Sequence, residues 1–234
     1  MMKKRLLALA LALALVLSMT ACGSSGPTQQ DAKECLQATM DLMLTGEYDE
    51  NYEFSDMTRE EAMAMRADTF EEGFVDSFLE SLDLGDITLP EDYLNGLAKK
   101  LLDYTNLGLS KVTYTIGEGE QNDAGYSFPV TFNPIAMYDI GDFPIEDKAM
   151  EYAQANMSKL QSMSQADMQA DLMMAVMDML VEQLMSDLDN PKNVDPVDVN
   201  VQVNITEDNL VEVDGDSLDD AMTTMMEAMI PADQ

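Results

Sequence analysis

Between residues 112 and 132 apolar and polar positions alternate. Val112, Tyr114 and Ile116 are separated by Thr113 and Thr115, and Tyr126, Phe128, Val130 and Phe132 by Ser127, Pro129 and Thr131. A period of two is that of a strand with one face buried, and the turn-forming "GEGEQNDAG" between the two runs predicts a hairpin. The pattern returns where Val197, Val199, Val201, Val203 and Ile205 alternate with Asp198, Asn200, Gln202, Asn204 and Thr206. There "TEDN" turns the chain back through Val211 and Val213, a second hairpin. Two such hairpins give an antiparallel sheet with one face in water. Pro129 lacks a main-chain N–H and is assigned an edge position on that ground.

Elsewhere the period lengthens to that of a helix. Ala32, Leu36, Met40 and Met43 form a stripe that stops at Gly46. Thr58 and Glu61 have capping-box spacing, and Ala67, Phe70, Phe74, Phe78 and Leu82 continue one apolar face after them. Pro90 suits a first helical turn, with Leu94, Leu97, Ala98, Leu101 and Leu102 carrying a third helix to about Asn106. Helical patterning then runs from about Ile145 to Leu188, with a break where Ser164 and Asp167 repeat the capping spacing. Its second half, "LMMAVMDMLVEQLM", is apolar on most sides yet at 14 residues too short to span a bilayer. It is therefore expected to be the helix buried deepest against the sheet, with Met177 and Leu180 inside, near Val201 and Phe128. A last helix starts near Ser217 and carries Met222, Met225, Met226 and Met229.

These elements predict an α+β fold: a curved antiparallel sheet of about four strands in two hairpins, one face covered by helices. Tyr114, Tyr126 and Phe128 fall on the covered face and mark a candidate pocket.

The N-terminus has a different character. Lys3, Lys4 and Arg5 precede a 12-residue apolar run from Leu6 to Leu17, and small residues follow, which is the layout of a secretory signal peptide. The next residues, Met19-Thr20-Ala21-Cys22, resemble the lipobox of bacterial lipoproteins, with Met19 standing where Leu is usual. The resemblance implies a diacylglycerol thioether on Cys22, cleavage between Ala21 and Cys22, and an N-terminus held at the bilayer. Two acyl chains, at about 0.8 kcal/mol per buried methylene, suffice for stable anchoring. The division expected is a lipoprotein signal peptide at residues 1–21, a Gly-, Ser- and Gln-rich tether at 22–31 and one α+β domain at 32–234.

Charge and composition then remove whole classes of function. Loss of residues 1–21 takes three of the 12 basic residues and none of the 45 acidic ones, leaving a net charge of −36. Such a surface repels nucleic acid and attracts cations or basic partners. No His or Trp is present, which excludes Ser-His and Cys-His nucleophiles and the commonest zinc ligand. With Cys22 acylated, Cys35 is the one remaining thiol, so no disulfide framework exists, and its acid-rich helical setting predicts an inert group. The Met pairs Met173/Met177 and Met174/Met177 could present two sulfurs to monovalent copper, but the same spacing is that of a core stripe, which is the reading adopted. Asp214, Asp216, Asp219 and Asp220 in "EVDGDSLDDAM" lack the EF-hand loop and are expected to cap the last helix. No metal or cofactor is expected. A carboxylate such as Asp139 with Tyr114 or Tyr126 supplies the minimum for proton transfer, the basis of an enzyme alternative.

The segments "ATMDLMLTGEYD", "MTREEA", "SKVTYTI", "YSFPVTFNPI" and "DVNVQVNITEDNLVEVD" together resemble uncharacterised lipoproteins of clostridial Firmicutes with a cystatin-like, or nuclear-transport-factor-two-like, domain. The resemblance implies a helix-covered curved sheet, an extracytoplasmic location and no catalytic residues. The function expected is that of a membrane-anchored binding or accessory protein for a small molecule or an envelope partner. The alternatives are an interaction lipoprotein with no ligand site, or a cofactor-free carboxylate/Tyr enzyme.

Overall fold

A computed structural model describes residues 18–20, 26–54, 57–64, 66, 87–137 and 143–230. In chain order they form β1 (Ser18–Thr20), α1 (Gln29–Thr45), a helical turn at 59–64, α2 (Glu91–Leu109), β2 (Thr113–Ile116), β3 (Glu120–Gln121) and β4 (Gly125–Asn133). There follow α3 (Ile145–Ala155), α4 (Met157–Leu160), α5 (Gln165–Asp187), β5 (Val197–Ile205), β6 (Leu210–Val213) and α6 (Gly215–Met229). All pairing is antiparallel, in the order β1-β6-β5-β4-β2, with β3 also on β4. The four strands read from the sequence curl into a half-barrel, the α+β, cystatin-like form expected.

The register follows from the alternation. Phe128 faces Val201, Tyr126 faces Val203 and Val203 faces Val213, so the apolar set of both hairpins shares one face. Phe128, Phe132, Val201, Val203 and Val211 are fully buried there, while Pro129, Asp198 and Asn200 are exposed on the other face. The edge assignment for Pro129 is corrected, since β4 lies between β5 and β2. Pro129 is opposite Asn200 on one side, and on the other its carbonyl accepts from the Gly117 N–H at 2.8 Å. There the ladder is interrupted between the end of β2 and the start of β3, and Lys33 Nζ, 3.4 Å from the Gly117 carbonyl, serves the acceptor that a proline cannot. A central proline is tolerated where the neighbouring strand breaks.

α1 lies across the inner face against β4, β5 and β6. Nine of its residues are buried, including Ala32, Cys35, Leu36, Met40 and Met43. Thr28 caps it: the Thr28 Oγ1 accepts from the Asp31 N–H at 3.3 Å and the Asp31 carboxylate accepts from the Thr28 N–H at 2.7 Å. This box starts the helix at Gln29, inside the span expected to be tether. The helix ends at Gly46 in the left-handed conformation (φ 79°), where its N–H returns to the Leu42 carbonyl. The capping box at Thr58 and Glu61 forms as expected, but the aromatic face from Ala67 to Leu82 lies outside the described residues.

The helix "LMMAVMDMLVEQLM" does not lie deepest. It belongs to α5, which packs against α2 and α3 in an outer layer. Among α5 residues only Val181 and Leu184 are buried, and Leu172 to Leu180 are half-exposed throughout, Met177 among them. Its polar groups explain the placement. Asp178 pairs with Lys100 of α2 at 2.8 Å, the Met174 carbonyl accepts from Tyr93 at 2.9 Å, and Asp171 takes Lys159 at 2.6 Å and Tyr152 at 2.8 Å. With helices on two sides, apolar residues are useful around most of its circumference, though only Val181 and Leu184 are sealed in. The predicted break holds at Ser164, whose Oγ accepts from the Asp167 N–H. Six methionines, Met40, Met43, Met137, Met222, Met225 and Met229, do fill the core, whereas Met150, Met157 and Met185 are exposed.

Asp214 is the N-cap of α6, accepting from the Ser217 N–H at 2.9 Å, so that part of the acidic string caps a helix as its composition suggested.

Candidate functional site

Of the three residues proposed from the sequence as a pocket, Tyr126 and Phe128 are neighbours on β4, whereas Tyr114 stands on β2 opposite Phe132, four residues further along β4 than Phe128. Phe128 is fully buried, with the Tyr126 ring 6.2 Å away. Tyr114, 6.4 Å from the ring of Phe132, donates its hydroxyl proton to Asp41 Oδ1 at 2.5 Å and lies 3.2 Å from the Gln37 carbonyl. Burial, and then the adjoining Asp41 carboxylate, push the Tyr114 phenol above its ordinary range. A phenol so held is a donor that latches α1 to β2. Cys22 and Asp139 lie outside the described residues.

Two clefts open elsewhere. The first, about 330 Å³, lies between α3, α5 and the chain near residue 190. Phe143, Leu180 and Leu184 give it an apolar wall, and Lys148, Asp187 and Lys192 stand at its polar side. Lys148 pairs with Glu151 at 3.0 Å. Lys148 and Lys192 stand there with Asp187 beside them and Glu151 on Lys148, so cations and carboxylates balance at the rim of a cleft in a strongly acidic chain. No sequence pattern announced it, because its residues come from element ends more than forty positions apart and belong to no motif.

The second cleft, about 620 Å³, is formed by the loop after α1. Tyr48, Tyr52 and Phe54 meet edge to face with ring centroids 4.9 to 6.3 Å apart. The Arg59 guanidinium lies 4.5 Å over the Tyr48 ring and donates to the Tyr48 carbonyl at 2.7 Å, while Glu50, Glu53 and Glu60 rim the opening. The aromatic spacing in "EYDENYEFSD" was legible as an acidic loop, not as a cluster. Its own arginine already covers the ring face that a foreign cation would seek.

Two remaining titratable groups are structural. Burial pushes the Cys35 thiol up to about 11, against smaller opposing contributions from hydrogen bonds with Tyr52, the Val213 main chain and Thr39. It is therefore expected to label with a thiol reagent at about pH 8 only as fast as the domain opens; reaction at the rate of an unfolded thiol would contradict its position. Because the folded value is raised, the thiol contributes stability that is whole below its unfolded value of about 8.5 and lost as pH rises through the folded one. Asp219 is held above the usual carboxylate range by partial burial and by Asp216 and Asp220. Among the described residues no cluster of three or more His, Cys, Asp or Glu side chains is placed to hold a metal ion.

The sequence matches no protein-family model and no curated protein. In structure the chain is similar to ycdA of Bacillus subtilis, described as "a putative lipoprotein", with a TM-score of 0.53 and 19% identity over 86% of this chain. It spans 56% of that protein's length. At this identity the likeness is one of fold. No described helix is long and apolar enough to cross a membrane.

Proposed function

We propose that this chain is a lipoprotein held on the extracytoplasmic side of the cell membrane by acyl chains on Cys22, and that its domain acts by binding rather than by catalysis. The observation that carries this is the N-terminal succession of Lys3, Lys4 and Arg5, the apolar run Leu6–Leu17 and Met19-Thr20-Ala21-Cys22. The likeness to a Bacillus subtilis protein described as a putative lipoprotein supports it. Only residues 23 to 27 separate Cys22 from the Thr28 cap, a reach of about 20 Å at most, so the domain works close to the bilayer. Nucleic acid is not its partner, given the net charge.

The cleft between α3 and α5 is the place assigned to a ligand. An apolar wall beneath a rim of Lys148, Lys192 and Asp187 suits a small amphipathic molecule with a polar head. The non-catalytic reading is supported by the lack of His and by the use of Tyr114 and Asp41 on each other.

Cys22→Ala is expected to remove the diacylglycerol from the intact mass and to leave residues 1–21 attached, because the thiol that takes the lipid and licenses the cut is gone. A variant whose mass still carries the diacylglycerol, or that is cut before residue 22, defeats the lipoprotein reading. Native mass spectrometry of the protein released from its own membranes, beside a Lys148→Glu/Lys192→Glu variant, tests the cleft. A retained small molecule lost from the variant supports it, and one retained equally by both places the ligand elsewhere.

A further inference from the structure

β1 consists of Ser18–Thr20, the residues just ahead of Ala21 and Cys22. It closes the outer edge of β6 with Ser18 opposite Glu212, Met19 opposite Val211 and Thr20 opposite Leu210. On the inner side, the Thr206 N–H donates to the Leu210 carbonyl and the Asp214 N–H to the Gln202 carbonyl. Main-chain direction alternates along an antiparallel strand, so Val211 and Val213 turn their N–H and C=O groups outward, toward β1. The Cys35 thiol lies 3.7 Å from the Val211 carbonyl and hydrogen-bonds the Val213 main chain, which covers part of that edge. Pairing of the Val211 N–H is left to the strand that sits opposite it.

We propose that the outer edge of β6 is a strand-addition site, which loss of Ser18–Thr20 opens and which then takes an extended peptide segment of a partner protein flanked by basic residues. The opening step rests on the lipoprotein reading, in which the chain is cut before Cys22. The chain itself shows that an extended segment fits there, antiparallel and in a defined register. The chemistry of the flanks follows from charge. Glu207 and Asp208 stand exposed at the hairpin turn, Glu212 and Asp214 lie on and beside β6, and the chain from Cys22 onward carries 45 acidic residues. An acidic strand would be repelled from this edge, and one bracketed by Lys or Arg would be drawn to it. An open strand edge is a template for pairing that proteins otherwise cover or blunt.

The test compares the mature protein extracted from producing cells with uncut Cys22→Ala precursor, by hydrogen exchange over residues 207–214. The Val211 amide is expected to be protected in the precursor and to exchange at least about tenfold faster in the mature chain. A synthetic Ser-Met-Thr peptide with two lysines on each side should restore protection. The same peptide N-methylated at its methionine, or flanked by glutamates, should not. Equal exchange in precursor and mature protein, no protection by the lysine-flanked peptide, or equal protection by the N-methylated one would each overturn the proposal. The two readings fail separately. A Cys22→Ala chain whose intact mass shows cleavage before residue 22 defeats the lipoprotein reading, and the peptide titration on that cut chain still decides the edge.

Discussion

Val201→Asp is expected to unfold the domain, and Asn200→Asp to leave it nearly unchanged. Val201 is fully buried opposite Phe128, at the middle of the longest strand pairing, whereas its neighbour Asn200 is exposed. Among the described residues the one buried cation is Arg66, which donates to the Met43 carbonyl and Asn106 Oδ1 instead, so a carboxylate at 201 must be buried unpaired or the strand expelled. The cost is several kcal/mol, comparable with the roughly 5–15 kcal/mol that holds a domain together. At 200 a carboxylate stays in water and changes stability by less than about 0.5 kcal/mol. Circular dichroism melts of both variants check this, and coincident melting temperatures would mean that the two faces of the sheet are assigned the wrong way round.

Gly125→Ala is expected to be nearly as damaging, for a reason in the main chain. Gly125 opens β4 with φ 153°, and a Cβ built on it would run into the Val203 carbonyl oxygen and lie 3.0 Å from the Ile205 nitrogen. Both neighbours are backbone of β5, paired in the ladder, and cannot turn aside as a flexible side chain would. The substitution forces β4 and β5 apart where their pairing begins, with an expected loss of about 3 kcal/mol or more. Gly96→Ala is the control. Nothing lies within 4 Å of a Cβ there, in the middle of α2, and the change should stabilise by about 0.5–1 kcal/mol. Urea midpoints moving in the same direction for both variants would contradict the close approach at Gly125.

The contrast between 200 and 201 could be read from the sequence, because a period of two ties each residue to one face whatever the strand order. Strand order itself could not. Pro129 was placed at an edge on local chemistry, yet β5, some seventy residues later, pairs beside it and makes β4 central. The accommodating break opposite Pro129 depends on a lysine from α1 that no local pattern connects to it. Helix depth was misjudged for a related reason: hydropathy made α5 the most apolar helix, but depth is set by what a helix packs against. α1 carries Lys33 and Glu34 and still has the buried face, since its apolar residues fall on one stripe that the curved sheet can cover. Of the proposed sites, the string that resembles a lipobox is contiguous in sequence, whereas the cleft by Lys148 and Lys192 exists only once distant element ends converge.

The join between α1 and the interrupted ladder also determines how the domain bears mechanical load. Besides Lys33, Gln29 reaches this break, donating its Nε2 to the Gly119 carbonyl at 2.6 Å. A pull on the N-terminus enters at Thr28, one residue before these contacts, and runs along the axis of α1 from its capped end. The capping box and the bonds of Gln29 and Lys33 are the first contacts such a load is expected to meet. Because nine residues of α1 are buried against the sheet, drawing the helix off that face uncovers the core, and the helix and the half-barrel are expected to give way together.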